Sequence, residues 1–305
     1  MLLAAVLAVL IPTQGTPPQD SLIGKGQGLN HVTIFVRDMA LAQKTFGEVL
    51  GFEVHHFGKF PQGWENAGVR FSDSTYLELA AAYDQEKVKG TDEEKYLEKG
   101  EGCQSFGIDT DSAEETARRL KTSGFDTKIV VYPEPKPGSK NKAYFWKTVE
   151  FPSGAEPSGM FFIHCGGPQL TLKLKPQPNL AVSLKSVWIA VKSVKDADRR
   201  YQKMGYVRSA GFHSKALGCR GSVYRVGLGT MYVVEARGKG PTANALKLRE
   251  GIMGLSVGVS DIAKSKAEIE SRSHKNLAAC DGFGTTAYLM PPESTNGTLI
   301  AITGS

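Results

Sequence analysis

Between Gly28 and Val54 the chain reads GLNHVTIFVRDMALAQKTFGEVLGFEV, and the period of its apolar and polar positions changes twice. Residues 31–36 alternate, with His31, Thr33 and Phe35 on one side and Val32, Ile34 and Val36 on the other, which is the two-residue period of a strand. Asp38 stands where a helix N-cap belongs. Behind it lie the helix formers Met39–Leu50, whose apolar members Ala42, Phe46, Val49 and Leu50 fall at helical spacing. Gly51 supplies the stop and Phe52–Phe57 predicts a second strand. Gly58–Gly68 reads as a loop, and Val69–Phe71 and Tyr76–Ala81 read as two more strands. The unit is therefore βαβββ.

The pattern then returns. Asp84–Gly102, dense in Lys and Glu, reads as a solvated helix or loop joining two units. Gln104–Asp109 predicts a strand, Asp111 or Ser112 a cap, Ala113–Ser123 a helix, and Gly124–Phe125 repeats the Gly51–Phe52 stop. Matching the two stops places Asp38 over Asp111 and His31 over Gln104, an offset of 73. Lys128–Tyr132, Ala143–Phe151 and Met160–Cys165 complete the second unit, with a Pro- and Lys-rich loop at Pro133–Lys142. Leu170–Ser183 carries two prolines and reads as a linker. A third copy runs from Val187–Val191 through the helix Asp196–Met204 to the strands Ser222–Val226 and Met231–Glu235. A fourth runs from Met253–Val259 through Ile262–Arg272 to Ala287–Met290 and Thr298–Thr303. The expected architecture is α+β: tandem βαβββ units forming cup-shaped mixed sheets, four units in two pairs. The expected domains are 27–168 and 184–305.

Composition changes this picture little. The chain has 305 residues, 41% apolar and 22% charged, enough to bury a full core in two domains. The net charge of +6 is scattered, without a basic stripe interleaved with aromatics, so no nucleic-acid partner is expected. Leu2–Ile11 is an unbroken apolar run too short to span a bilayer, and a polar, proline-rich stretch over 12–19 follows it. Together they predict an export signal, a secreted or periplasmic chain, and no membrane anchor after cleavage. The four cysteines, Cys103, Cys165, Cys219 and Cys280, have no CxxC spacing; they read as disulfides or as small buried residues, with pairing undetermined.

The candidate chemistry sits on the first and last strands of the first two units. The first strands offer His31 and Gln104. The last strands offer Glu78, in YLEL, and His164, in FIHC, at matching positions when these segments are laid over one another. Phe35, Tyr76, Phe106 and Phe162 stand an even number of residues from these polar groups, so each is expected on the same face and in contact with a substrate. Two imidazoles, a carboxylate and an amide on apolar faces are costly to bury unless they pair or bind a cation. The set suits zinc, nickel, manganese or iron. Trp64, Asn66 and Tyr83 are candidates for the rim, as are His55 and His56. Lys136, Lys140 and Lys142 read as a solvated loop.

NHVTIFVRDM at the start of the first unit and YLEL at its end resemble the vicinal oxygen chelate superfamily, which includes glyoxalase I, bleomycin-resistance proteins and extradiol dioxygenases. GVRFSDSTYLEL resembles the glyoxalase-like domains of bacterial proteins. The resemblance covers Gly28–Cys165 well and the second pair in outline. It implies that two units form one cup and that metal ligands come from the first and last strand of each, here His31, Glu78, Gln104 and His164. It further implies a metal-dependent lyase or isomerase that chelates a small substrate with vicinal oxygens, Glu78 moving the proton. The alternatives on the same residues are a non-haem iron dioxygenase and a metal-free protein that binds a small aromatic or amphiphilic ligand. In the second pair Ser186, Gly254 and Ala301 take the ligand positions and Glu235 lies out of phase. That half is expected to be metal-free and to serve structure, dimer-like packing or a ligand wall, and a homodimer is compatible with it.

Overall fold

The computed structural model describes residues 28–132, 146–152, 155, 159–166 and 174–304. The expected export signal and the lysines of the 133–142 loop lie outside the described residues. No described helix is long and apolar enough to cross a membrane.

The first half comprises β1 (Leu29–Phe35), α1 (Met39–Lys44) continuing into a π-helical turn (Thr45–Val49), β2 (His55–Lys59), β3 (Trp64–Arg70) and β4 (Tyr76–Ala82). Two short helices follow, α2 (Gln85–Val88) and α3 (Asp92–Glu98). Then come β5 (Gly102–Asp109), α4 (Ala113–Thr122), β6 (Lys128–Val131), β7 (Trp146–Glu150) and β8 (Met160–Cys165). The second half comprises β9 (Ala181–Ala190), α5 (Val194–Lys203), β10 (Arg208–Ser214), β11 (Cys219–Val226), β12 (Gly229–Ala236), α6 (Pro241–Leu248), β13 (Gly251–Val259), α7 (Ile262–Ser273), β14 (Ala278–Ala279), β15 (Ala287–Leu289) and β16 (Leu299–Gly304). Each half forms one eight-stranded mixed sheet, ordered β2-β3-β4-β1-β5-β8-β7-β6 and β10-β11-β12-β9-β13-β16-β15-β14. The first and last strands of a unit pair in parallel, and the two units of a half meet where β1 runs antiparallel to β5 and β9 to β13. The tandem βαβββ architecture is thus what the chain adopts.

The caps explain where the helices start. Asp38, Ser112, Ser193 and Asp261 each accept a hydrogen bond from the backbone N–H three residues on. Several segments differ from expectation. Residues 64–68, expected as loop, are strand, because Ala67 is a core position and the segment pairs with β4 along its length. β9 begins at Ala181, inside the expected linker. β10, α6 and β14 carry weak patterns and have no counterpart among the expected elements.

Helix-facing residues of both halves join in one core, including Val32, Ile34, Phe46, Leu77, Phe106 and Phe162 from the first and Leu184, Val187, Tyr224 and Leu255 from the second. All four cysteines are free thiols; Cys103, Cys219 and Cys280 are buried small residues and Cys165 is exposed.

Candidate functional site

The concave face of the first sheet is set by register. His31 lies beside Tyr76 and Thr33 beside Glu78 in the parallel β1–β4 ladder, so these side chains share one face. Across β3, Arg70 lies opposite Tyr76 and Gly68 opposite Glu78. Across β5, Gly107 faces His31 and Ser105 faces Thr33, and β8 adds Phe161 beside Gly107. Gly107 is needed there: a Cβ would stand 3.1 Å from His31 Cε1 and 3.0 Å from the Phe161 ring.

His31 is the centre of this face, only 5% exposed. Its ring stacks on Tyr76 at 4.4 Å and meets the Phe161 ring in an edge contact at 5.3 Å. Asn30 Nδ2 donates to Asp109 Oδ1 at 2.6 Å, which turns the Asn30 carbonyl oxygen to His31 Nδ1 at 2.5 Å. An amide oxygen only accepts, so Nδ1 carries the proton and Nε2 presents a lone pair. Burial, with the Arg70 charge as a second cause, depresses the His31 pKa to about 3 and keeps the ring neutral. Nε2 stands 3.9 Å from Glu78 Oε2. Glu78 accepts from Thr33 Oγ1 at 3.0 Å and from Asn66 Nδ2 at 2.6 Å. Its pKa is nonetheless raised, because burial outweighs these bonds and the Arg70 charge. Asp109 is likewise lifted, to about 6, by burial.

Of the other two expected ligands, His164 is not brought to this face and Gln104 falls at a break in the ladder. His164 follows the phase of Phe162, which is fully buried in the core. It lies opposite Lys147, whose Nζ reaches Glu114 of α4, and its own Nδ1 is 3.0 Å from the Thr110 carbonyl. His164 is therefore on the helix side of the sheet. Gln104 is the extra residue of a β-bulge: Ser105 pairs with Thr33 and Cys103 with Ile34, which leaves Gln104 without a partner across the ladder. Phe106 is fully buried on the helix side, as Phe162 is, so neither touches the cup. Of the expected contact residues, Phe35, Trp64, Asn66 and Tyr76 do lie on the cup face, with Phe35 and Trp64 ring to ring at 5.1 Å. Tyr83 hydrogen-bonds the Phe60 carbonyl beside this edge, with Lys59 over its ring.

One residue of offset accounts for Gln104 and Phe106, and three residues for His164. The caps Asp38 and Ser112 are 74 apart, whereas the stops Gly51 and Gly124 are 73 apart. The π-helical turn in the first unit absorbs the extra residue. Strand equivalence follows the caps, so Asn30 corresponds to Gln104, both at bulges, and His31 corresponds to Ser105. At the other end Val36 N–H donates to Ala80 O and Thr110 N–H to Ile163 O, each at 2.9 Å, which makes Phe161 the counterpart of Glu78. The four related positions of the first cup are thus His31, Glu78, Ser105 and Phe161. Among the described residues no group of three or more His, Cys, Asp or Glu side chains comes together to hold a metal ion. The donor set that a divalent ion of this superfamily would use is half present.

The second cup departs further. Ser186, Gly254 and Ala301 hold the expected positions, and Tyr232, three residues before Glu235, takes that of Glu78. Its face is filled by its own side chains: Trp188 stacks on Phe283 at 4.9 Å, Phe212 lies against Tyr232, and Ser186 and Ser256 hydrogen-bond at 2.5 Å.

A family model described as glyoxalase-like domain matches residues 29–205, more than half of the chain. The chain belongs to the glyoxalase-like domain family. Solved structures extend the likeness over nearly the whole length of this glyoxalase-like protein. A mutant of 4-hydroxymandelate synthase from Streptomyces coelicolor superposes with a TM-score of 0.68 at 13% identity, covering 92% of this chain and 93% of that one. Catechol 2,3-dioxygenase gives 0.57 at 13% identity, covering 92% and 94%. A hypothetical protein from Staphylococcus aureus gives 0.58 at 10% identity, covering 92% and 100%. At these identities the likeness establishes the shared vicinal oxygen chelate fold. Curated protein sequences gave no match.

Proposed function

We propose that this glyoxalase-like protein binds a small aromatic molecule in its first cup without a metal ion. The observation that carries this reading is the pairing of His31 and Glu78 as two buried acceptors while Ser105 and Phe161 occupy the other two related positions. A neutral Nε2 and a carboxylate accept hydrogen bonds from a ligand hydroxyl or N–H, and Phe35, Trp64, Tyr76 and Phe161 offer ring faces and edges to its aromatic body.

The metal-dependent lyase or isomerase reading requires Gln104 and His164 on the cup face, and the dioxygenase reading requires a second imidazole beside His31. The register favours neither. Elemental analysis of the purified protein, combined with titration of aromatic carboxylates and phenols followed by tryptophan fluorescence, separates these readings. The expected result is well under one equivalent of metal, saturable binding that is unchanged by EDTA, and at least tenfold weaker binding in His31→Ala and Glu78→Ala. One equivalent of bound metal, lost on His31→Ala and on His164→Ala, would refute the proposal.

A further inference from the structure

Resting on that reading of the first cup, we infer that its ligand is an aromatic carboxylate and that Arg70 is the residue that selects it. Arg70 ends β3 directly opposite Tyr76 and so projects from the cup face. Its guanidinium lies 4.7 Å over the Phe57 ring and 5.2 Å over the Tyr76 ring. Tyr76 is the ring on which His31 stacks, so the cation is one aromatic residue away from the buried acceptors.

Stacking occupies the face of a guanidinium and leaves its in-plane N–H groups free. Those groups form the fork that binds a carboxylate through two parallel hydrogen bonds. Among the described residues the Arg70 side chain has no ion-pair or hydrogen-bond partner, although most other half-buried charges of this half are paired: Glu53 with Lys175, Glu65 with Lys59, Lys147 with Glu114. A partly desolvated cation with five unshared donors is the group an incoming anion satisfies.

The position of Arg70 is also fixed from behind. Gln177, 6% exposed, donates to the Arg70 carbonyl at 3.0 Å and accepts from Glu53 N–H at 2.8 Å, which ties the end of β3 to the segment entering the second half. The cup thus offers a ring-lined wall, two acceptors at His31 and Glu78, and one cationic fork. The complementary molecule carries an aromatic ring, a carboxylate for Arg70, and a donor for His31 Nε2 or Glu78.

The test uses the full-length protein and three pairs of probes: phenylacetate, 3-phenylpropionate and indole-3-acetate, each against its neutral amide. Binding is followed by calorimetry in wild type, Arg70→Met and Arg70→Lys. In the wild type each acid that binds is expected at least tenfold more tightly than its amide. Arg70→Met should abolish that ratio while amide binding persists, and Arg70→Lys, which keeps the charge but loses the planar fork, should fall between. Retained amide affinity also shows that Arg70→Met is folded. Equal binding of acid and amide by the wild type, or an undiminished ratio in Arg70→Met, overturns the role of Arg70 and leaves the aromatic cup standing. Failure of every acid and every amide to bind overturns both.

Discussion

Much of the chemistry of this protein follows from one histidine held in one tautomer. Asp109 orients Asn30, and Asn30 leaves His31 Nε2 as an acceptor. The electrostatic consequence is measurable. The unfolded chain protonates His31 near its ordinary value of 6.5, whereas the folded protein resists protonation down to about 3, so His31 makes the fold lose stability as pH falls between those limits. Glu78 and Asp109 act in the opposite sense. Their folded pKa values are raised, so their contribution improves as pH falls through those values toward the unfolded ones. Replacing His31 by Gln removes the first effect alone. Between pH 7.5 and pH 5 the stability of His31→Gln, measured by urea denaturation, should rise relative to wild type by about 2 kcal/mol. A difference independent of pH would contradict a buried neutral imidazole. Glu78→Gln should show its greatest advantage over wild type at neutral pH, and that advantage should shrink on acidification.

At the level of elements, the stretch from His31 to Phe35 in β1 and the whole of β4 are legible because, past the bulge at Asn30, they pair with each other without a break, and His31, Thr33, Phe35, Tyr76 and Glu78 share one face as their spacing requires. The expected equivalence of the second unit is displaced by one residue in its first strand and by three in its last. Counting back from the Gly-Phe stop crosses the π-helical turn in one unit and a regular helix in the other, which put Gln104 in place of Ser105. An odd displacement along a strand, whether of one residue or three, exchanges its faces, so Phe106, Phe162 and His164 lie against the helices rather than in the cup. The corrected equivalence predicts its own gain of function. Ser105→His combined with Phe161→Glu brings four donors, with His31 and Glu78, onto one face. That double variant should take up about one equivalent of zinc or nickel by elemental analysis where the parent takes up little. His164→Ala should leave the metal content of the parent unchanged. A folded double variant with no added metal would overturn the assignment of equivalent positions.

Across the whole molecule the halves are joined by more than their connecting segment. Arg249 of the second half stacks on Tyr96 at 3.5 Å and donates to the carbonyls of Tyr96 and Gly100 at 3.0 and 2.9 Å. Asn179, fully buried, donates to the Leu50 carbonyl at 2.8 Å, and Asn296 donates to Glu101 at 3.0 Å. Leu29 packs onto Gly229, where a Cβ would stand 2.7 Å from its side chain. With a core continuous between the halves, calorimetric unfolding is expected as a single transition, lowered in midpoint but still single in Arg249→Ala. Two resolved transitions in the wild type would show independent domains instead.

The sequence by itself determined the repeat, the strand–helix–strand grammar, the caps and the placing of His31 and Glu78 on one face, since these depend on periodicities a few residues long. It did not determine which residues of the second unit face them. That depends on two β-bulges and a π-helical turn, each of which shifts the phase of the chain by a residue with little trace in local composition. Nor did it single out Arg70, whose significance arises only when pairing of β3 with β4 lays its guanidinium over Phe57 and Tyr76. Local order is written in spacing; convergence across a sheet is decided by register, and register is settled by the packing of both halves together.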